Sequence, residues 1–244
     1  MKKKITYATL TDKGGRTVNE DSINAISDGE RFGFVLCDGL GGHGMGDVAS
    51  GVVVNEFESY FKNSNSDSKI SDFFEQAQAK LLGEQKKLGA TNRMKTTAVV
   101  VQIENQKLFI GHIGDSRAYI FKNNKYKKRT LDHSVPQMLV LSKSIKDEEI
   151  RNHPDRNMVL HVLGTAWTEP QYEIMKPSAL RKSDAILLCS DGFWELITEK
   201  QMCECLKIAT NVEDWLFKMA EIGRENGKNV DMDNYSAIAV WNKK

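Results

Sequence analysis

Three acidic phrases beside apolar runs suggest carboxylates gathered around a cation. They are Asp38-Gly39 after Phe34-Val35-Leu36-Cys37, Asp191-Gly192 after Ile186-Leu187-Leu188-Cys189-Ser190, and Asp233-Asn234 before Tyr235-Ser236-Ala237-Ile238-Ala239-Val240. Apolar runs bounded by Gly and Asp read as buried strands, so side chains far apart in sequence can meet where such strands end. Donors that are all oxygen suit a hard divalent ion, Mg²⁺ or Mn²⁺, better than zinc, which prefers Cys and His. A single strand-ending Asp also makes a turn; three with these flanks argue for a centre.

The elements that must position these residues follow from hydrophobic period. Strands are expected over 5–11, 22–27, 32–38, 96–103, 107–114, 116–121, 171–175, 185–190 and 235–241. Helical spacing runs from Gly46 through Val53, Phe57 and Phe61, and over 70–88 through Phe73, Phe74, Ala77 and Leu81. Two further helices start at Thr198, with Gln201 completing a capping box, and at Asn211. Three strands in close succession over 96–121 are antiparallel grammar and argue against a purely parallel doubly wound sheet. Residues 132–164 turn helical and irregular, with Ser134 and Gln137 as a capping box, and read as a mobile surface insertion.

A chain of 244 residues with 40% hydrophobic and 27% charged content can bury a sizeable core, and one domain is expected. A formal net charge of +1 supplies no basic field for nucleic acid, and the lysines between Lys122 and Arg129 flank an Asn123-Asn124 turn in what should be a solvated hairpin. Cys37 and Cys189 lie inside apolar runs, and Cys203-Glu204-Cys205 suits a helix surface; the four cysteines show no disulfide framework. With no run able to span a bilayer, a cytoplasmic protein is expected.

Gly39-Leu40-Gly41-Gly42-His43-Gly44 also fits the dinucleotide pattern G-x-G-x-x-G, with Glu58 a suitable distance on. Asp38 would then place a carboxylate beside the pyrophosphate, and the next strand follows only after two helices. The glycines better serve a backbone bending around a cation, with the Gly39 carbonyl as a ligand.

The phrases Gly14-Gly15-Arg16-Thr17-Val18-Asn19-Glu20-Asp21, Asp38-Gly39-Leu40-Gly41-Gly42-His43, Gly111-His112-Ile113-Gly114-Asp115-Ser116-Arg117, Leu131-Asp132-His133-Ser134, Ser190-Asp191-Gly192 and Asp233-Asn234-Tyr235-Ser236 occur in that order. Together they resemble the metal-dependent protein phosphatases, the type 2C serine/threonine phosphatases, in their compact bacterial form, over essentially the whole chain. The resemblance implies an α+β fold, a central sandwich of two antiparallel β-sheets flanked by helices. It implies one catalytic domain over 1–244 with a flap at about 135–163. It also implies two Mn²⁺ or Mg²⁺ ions, and room for a third.

By the same resemblance Asp38 bridges the metals, Gly39 lends its carbonyl, Asp191 and Asp233 hold one ion, and Glu20 acts through water. Arg16 clamps the substrate phosphate, and Asp115 with Asp191 forms the third-metal site. The implied reaction is hydrolysis of phosphoserine and phosphothreonine by direct attack of a metal-bridging hydroxide. The implied partners are phosphoprotein substrates of a cognate serine/threonine kinase, and a monomer is expected. Two positions depart from the family: Leu40 stands where many eukaryotic relatives carry a general-acid His, and His161 where many bacterial members have Arg. For the proton donor the candidates are then His43 and a metal-bound water. A catalytically inactive phosphoprotein-binding relative and a dinucleotide-dependent oxidoreductase are the competing readings.

Overall fold

The central strands obey a period of two, but both of their faces are apolar, as expected of sheets covered on both sides. In Asp184–Cys189, Ala185, Leu187 and Cys189 face one apolar cluster while Ile186 and Leu188 face another; in Phe32–Asp38, Val35 and Cys37 divide from Phe34 and Leu36 in the same way. The computed structural model describes residues 4–41, 44–65 and 68–243.

The strands are β1 (Lys4–Asp12), β2 (Asp21–Ser27), β3 (Phe32–Asp38), β4 (Ala98–Glu104), β5 (Lys107–Ile113), β6 (Arg117–Lys122), β7 (Lys125–Arg129), β8 (Glu173–Ile174), β9 (Ser178–Ala179), β10 (Asp184–Cys189) and β11 (Tyr235–Lys243). One sheet runs β1-β11-β10-β6-β7 and the other β2-β3-β4-β5-β8, with β9 also beside β5; every pairing is antiparallel. Helices α1 (Gly46–Asn63) and α2 (Ile70–Lys87) cover the second sheet with Phe57, Phe61, Phe73, Phe74 and Leu81. The first sheet is covered by α5 (Glu199–Ile208) and α6 (Val212–Gly227), whose Trp215 ring meets Phe121 edge-on at 5.4 Å. The result is the helix-sheet-sheet-helix sandwich expected from the sequence.

Turn chemistry sets the hairpins. Asn105-Gln106 and Asn123-Asn124 all have positive φ, matching the twist of the strands they join. Thr198 caps α5 and Gln201 returns the bond, while Ser134 caps α3 (Val135–Leu141).

Two expectations need correction, and a third region carries ties that its sequence does not reveal. Arg129 is not a solvated hairpin residue but is buried, because it donates to Asp132, Gln137 and Asp147. Cys205 faces the core, and only Cys203 keeps partial exposure. The segment after Asp132 is anchored: Ile150 enters the core under α5 and α6, and Arg151 and Arg156 bond Glu199 and Glu195. Those ties join residues dozens of positions apart and leave no periodic trace.

Candidate metal centre

The face of each strand that packs between the sheets turns polar at one end of the sandwich. Phe34 and Leu36 of β3 lead to Asp38, and Ile23 of β2 leads back to Asp21, directly opposite Asp38 in the ladder. Ile186 and Leu188 of β10 lead to Ser190, and Val240 and Ile238 of β11 lead back to Ser236. Ser190 Oγ donates to Asp21 Oδ2 at 2.9 Å and accepts the Ser236 N–H at 2.9 Å. The Asp38 backbone is held on both sides: its N–H donates to Thr97 Oγ at 3.0 Å, and its carbonyl accepts from Thr97 N–H and Thr96 Oγ, each at 2.9 Å. Asp191 opens the short helix α4 (Asp191–Trp194), and its Oδ1 accepts the Gly192 N–H at 2.6 Å.

The loop between β1 and β2 carries Arg16 and is tied to the residues just before β11. Asn234 donates to the carbonyls of Lys13 and Val18 at 2.9 and 3.0 Å and accepts the Glu20 N–H at 2.8 Å. Gly14, at φ +59°, lies so close that an added Cβ would sit 2.2 Å from the Asp233 carbonyl oxygen. Arg16 then forks onto Asp233, Nε to Oδ1 at 3.1 Å and Nη2 to Oδ2 at 3.0 Å, with both side chains about half exposed. Gly41 has a different reason to be glycine: a Cβ there would lie 1.7 Å from Glu20 Oε2, so the Glu20 carboxylate occupies that space.

These groups line a cleft of about 690 Å³ that holds Arg16, Glu20, Asp38, Gly39, Asp115, Asp191 and Asp233 together. The seven residues that the sequence assigned to the metals or the phosphate therefore line one cleft. Leu40 lines the same cleft, with its N–H bound to the Lys95 carbonyl at 3.0 Å, and His43 lies outside the described residues. Of the insertion, Asn157 and Val159 reach the cleft, whereas Met138 is exposed elsewhere.

Electrostatics separate two sets of buried acids. Burial pushes the carboxyls of Asp38 and Asp115 well above the ordinary range, with repulsion from Asp191 adding to it; Asp38 and Asp191 share a hydrogen bond between their carboxyls. Asp191 is raised by burial and by Asp233. Asp21 is pushed up to about 7, first by burial and then by Asp191 and Asp233, against the Ser236 and Ser190 bonds that favour its ionised form. Below them, burial also disfavours charge on Asp132, yet Arg117 and Arg129 overcome it and hold that carboxyl below its usual value. Arg117 forks onto Asp132 at 2.8 and 2.6 Å, and its guanidinium carbon lies 3.4 Å from the Trp194 ring centroid. Trp194 Nε1 donates to the Asp115 carbonyl at 3.0 Å, so this ion pair supports α4 and Asp115 from beneath.

Asp21, Thr97 and Asn234 were assigned no role from the sequence. The strand parity of β2 is the signal that finds Asp21, once that strand is started one residue earlier than 22.

The protein phosphatase 2C family profile matches residues 14–234. The chain belongs to the protein phosphatase 2C family. It is 29% identical over 206 residues to the serine/threonine phosphatase stp of Listeria innocua, a match covering 81% of each chain. The crystal structure of the serine/threonine phosphatase Stp1 from Staphylococcus aureus superposes with a TM-score of 0.89 at 27% identity, covering 99% of this chain and 96% of that one. The fold is also shared with the catalytic domain of PstP, crystallised in complex with two manganese ions, at a TM-score of 0.82 and 24% identity over 98% and 99% of the two chains. Nothing in the geometry favours the dinucleotide reading: the Glu58 carboxylate bonds Lys62 and Asn24 and is not among the cleft residues. As in other protein phosphatase 2C members, the fold is α+β, and among the described residues no helix is long and apolar enough to cross a membrane.

Proposed function

We propose that the chain is a Mn²⁺- or Mg²⁺-dependent phosphatase that hydrolyses phosphoserine and phosphothreonine in proteins. In this reading Asp38, the Gly39 carbonyl, Asp191 and Asp233 hold two cations, Glu20 acts through water, and Asp115 with Asp191 is available to a third. The observation that carries it is an imbalance of charge. Among the described residues lining the cleft, Arg16 is the one basic side chain, facing Glu20, Asp38, Asp115, Asp191 and Asp233. The donors are all oxygens, and burial with mutual repulsion raises the three inner carboxyls, which fits hard divalent ions.

Bound there, such ions offset the charge of the phosphate dianion and acidify water for attack on phosphorus. The chain's own part is to place them. The pinned Asp38 backbone fixes one carboxylate, and Arg16 offers a planar fork to two phosphate oxygens once it releases Asp233. Leu40 has no proton for the departing serine or threonine oxygen, which leaves His43 and a metal-bound water as candidate donors, and of the two we favour the water, which such an ion would acidify. Phosphoproteins modified by a cognate serine/threonine kinase are the substrates to test. A cytoplasmic monomer, built as one domain over 1–244 with a flap at 135–163, completes the reading.

Hydrolysis of p-nitrophenyl phosphate and of a phosphothreonine peptide, measured with Mn²⁺ and then with excess chelator, tests it. Turnover that appears with Mn²⁺ and vanishes with chelator is expected. Turnover indifferent to chelator, or phosphopeptide binding with no turnover, would overturn it and favour the binding-protein alternative in the second case.

A further inference from the structure

Three of the chain's five histidines meet outside the carboxylate cleft. His112 lies on β5, His133 follows β7, and His161 lies just beyond the insertion residues that reach the cleft. The rings of His112 and His133 are 4.8 Å apart between centroids, and those of His133 and His161 5.3 Å. Glu173 of β8 stands opposite His112 in the strand ladder, with its Oε1 3.7 Å from His133 Nε2. One donor atom from each of His112, His133 and Glu173 lies within 4.8 Å of the other two.

His112 supplies the decisive detail. Its Nε2 is 2.7 Å from the Leu131 carbonyl, which can only accept, so the ring proton resides on Nε2. Nδ1 is left as a bare lone pair on a side chain only 1% exposed, and it has no hydrogen-bond partner among the described residues. A buried acceptor without a partner is costly, and a bound cation would satisfy it. An imidazole with one nitrogen anchored to a backbone carbonyl and the other bare is the arrangement of a metal-ligating histidine.

We propose that His112, His133 and Glu173 form a binding site for a divalent cation of the zinc class, separate from the carboxylate cleft. Two imidazoles and one carboxylate are a donor set that zinc favours and Mg²⁺ does not. Tetrahedral zinc with bonds of about 2.0–2.1 Å requires donors closer together than they now lie, and the exposed Glu173 side chain is the member free to swing in. His133 Nδ1 accepts the Gly114 N–H at a long 3.3 Å, so ligation through Nε2 moves the ring proton from Nε2 to Nδ1 and gives up that bond. This offsets part of the gain. Both rings are already neutral at neutral pH: burial and the neighbouring His112 and His161 hold His133 down to about 3, and burial lowers His112. Occupancy would also brace the insertion, because the Leu160 N–H donates to the His133 carbonyl at 2.7 Å and Asn157 and Val159 reach the cleft.

The test is a zinc titration of the whole chain against a chromophoric zinc chelator, in millimolar Mg²⁺ to occupy the carboxylates. One equivalent of Zn²⁺ bound at micromolar concentration is expected. Glu173→Gln, a change at an exposed side chain, should weaken it at least about 10-fold, and Asp191→Asn should leave it unchanged. His133→Ala, checked for folding by circular dichroism, should abolish it. Absence of micromolar zinc binding, equal affinity in Glu173→Gln, or loss of zinc in Asp191→Asn would each overturn the site.

Discussion

Buried carboxylates occur in two settings around α4, and the chain treats them in opposite ways. Asp132 is buried with two guanidinium groups in contact and keeps its charge easily. Asp38, Asp115 and Asp191 are buried against one another; Arg117 and Arg156 offset only part of the penalty on Asp115 and Asp191, and all three stay raised. The first arrangement is complete in itself. The second becomes favourable only when positive charge comes from outside the chain, and that difference separates a structural ion pair from a candidate metal centre more sharply than burial does.

Substitution should break the comparison most clearly. Asp38→Asn or Asp191→Asn should lower kcat by about 10³ or more while leaving metal-free stability unchanged or higher, since a repelling charge is removed. Near-normal turnover in Asp38→Asn would remove that residue from the centre. Asp132→Ala should do the reverse: leaving Arg117 buried without its partner should cost about 3–5 kcal/mol. At roughly 2–4 °C per kcal/mol, thermal unfolding should fall by about 10 °C, with activity declining only as the folded fraction does. An unchanged melting temperature would refute the supporting role of the ion pair.

The pH dependence should separate the same two groups. A raised carboxyl keeps its proton in the folded protein after the unfolded chain has released its own. The contribution of such a carboxyl to the stability of the metal-free protein is therefore fully present below the ordinary value of 3.8 and is lost as pH rises, for Asp21 through about 7. Asp132 contributes in the opposite sense, with stability present above 3.8 and lost as pH falls below it. Melting curves with chelator should decline towards alkaline pH, and Mn²⁺ should remove most of that decline. A metal-free melting temperature that rises through neutrality would contradict the assignment.

Smaller effects are expected at the rim. Arg16→Ala removes a two-bonded clamp and should lower kcat/KM by about 10–100-fold, read with a phosphopeptide. Asn157→Ala should reorder phosphopeptides while changing p-nitrophenyl phosphate hydrolysis little, because a small aryl ester need not touch the insertion. Equal losses on both substrates would make Asn157 part of the centre's support.

Asp38, Asp191 and Asp233 were legible because each stands at one end of an apolar run, and most strands and the helical faces followed from period, whereas the two-sheet sandwich came from the family resemblance. Asp21 was hidden by starting β2 at Ser22, which discards the parity that aims Asp21 at Asp38. Asn234 was quoted within a motif, but its bonds reach back more than two hundred residues to Lys13 and Val18, and no local pattern encodes them. The anchoring of the insertion failed to show for the same reason: Arg129, Arg151 and Arg156 read as ordinary surface charges until the fold supplies their partners. The four-residue helix α4 is too short for any period to reveal.

The pairing of β1 with β11, from Lys4 opposite Lys243 to Asp12 opposite Tyr235, bears on how the protein is made. Asp233 and Asn234 precede the last strand, and the loop that carries Arg16 is fastened to them. During synthesis the sheet of β2 to β5 can assemble early, with Asp38 already in place. The Arg16 loop cannot be fixed until β11 has left the ribosome and closed a contact of very long sequence separation. A nascent chain would thus carry Glu20, Asp38 and Asp115 before Asp191 and Asp233, and the cleft would be completed in one late step, when β11 pairs with β1.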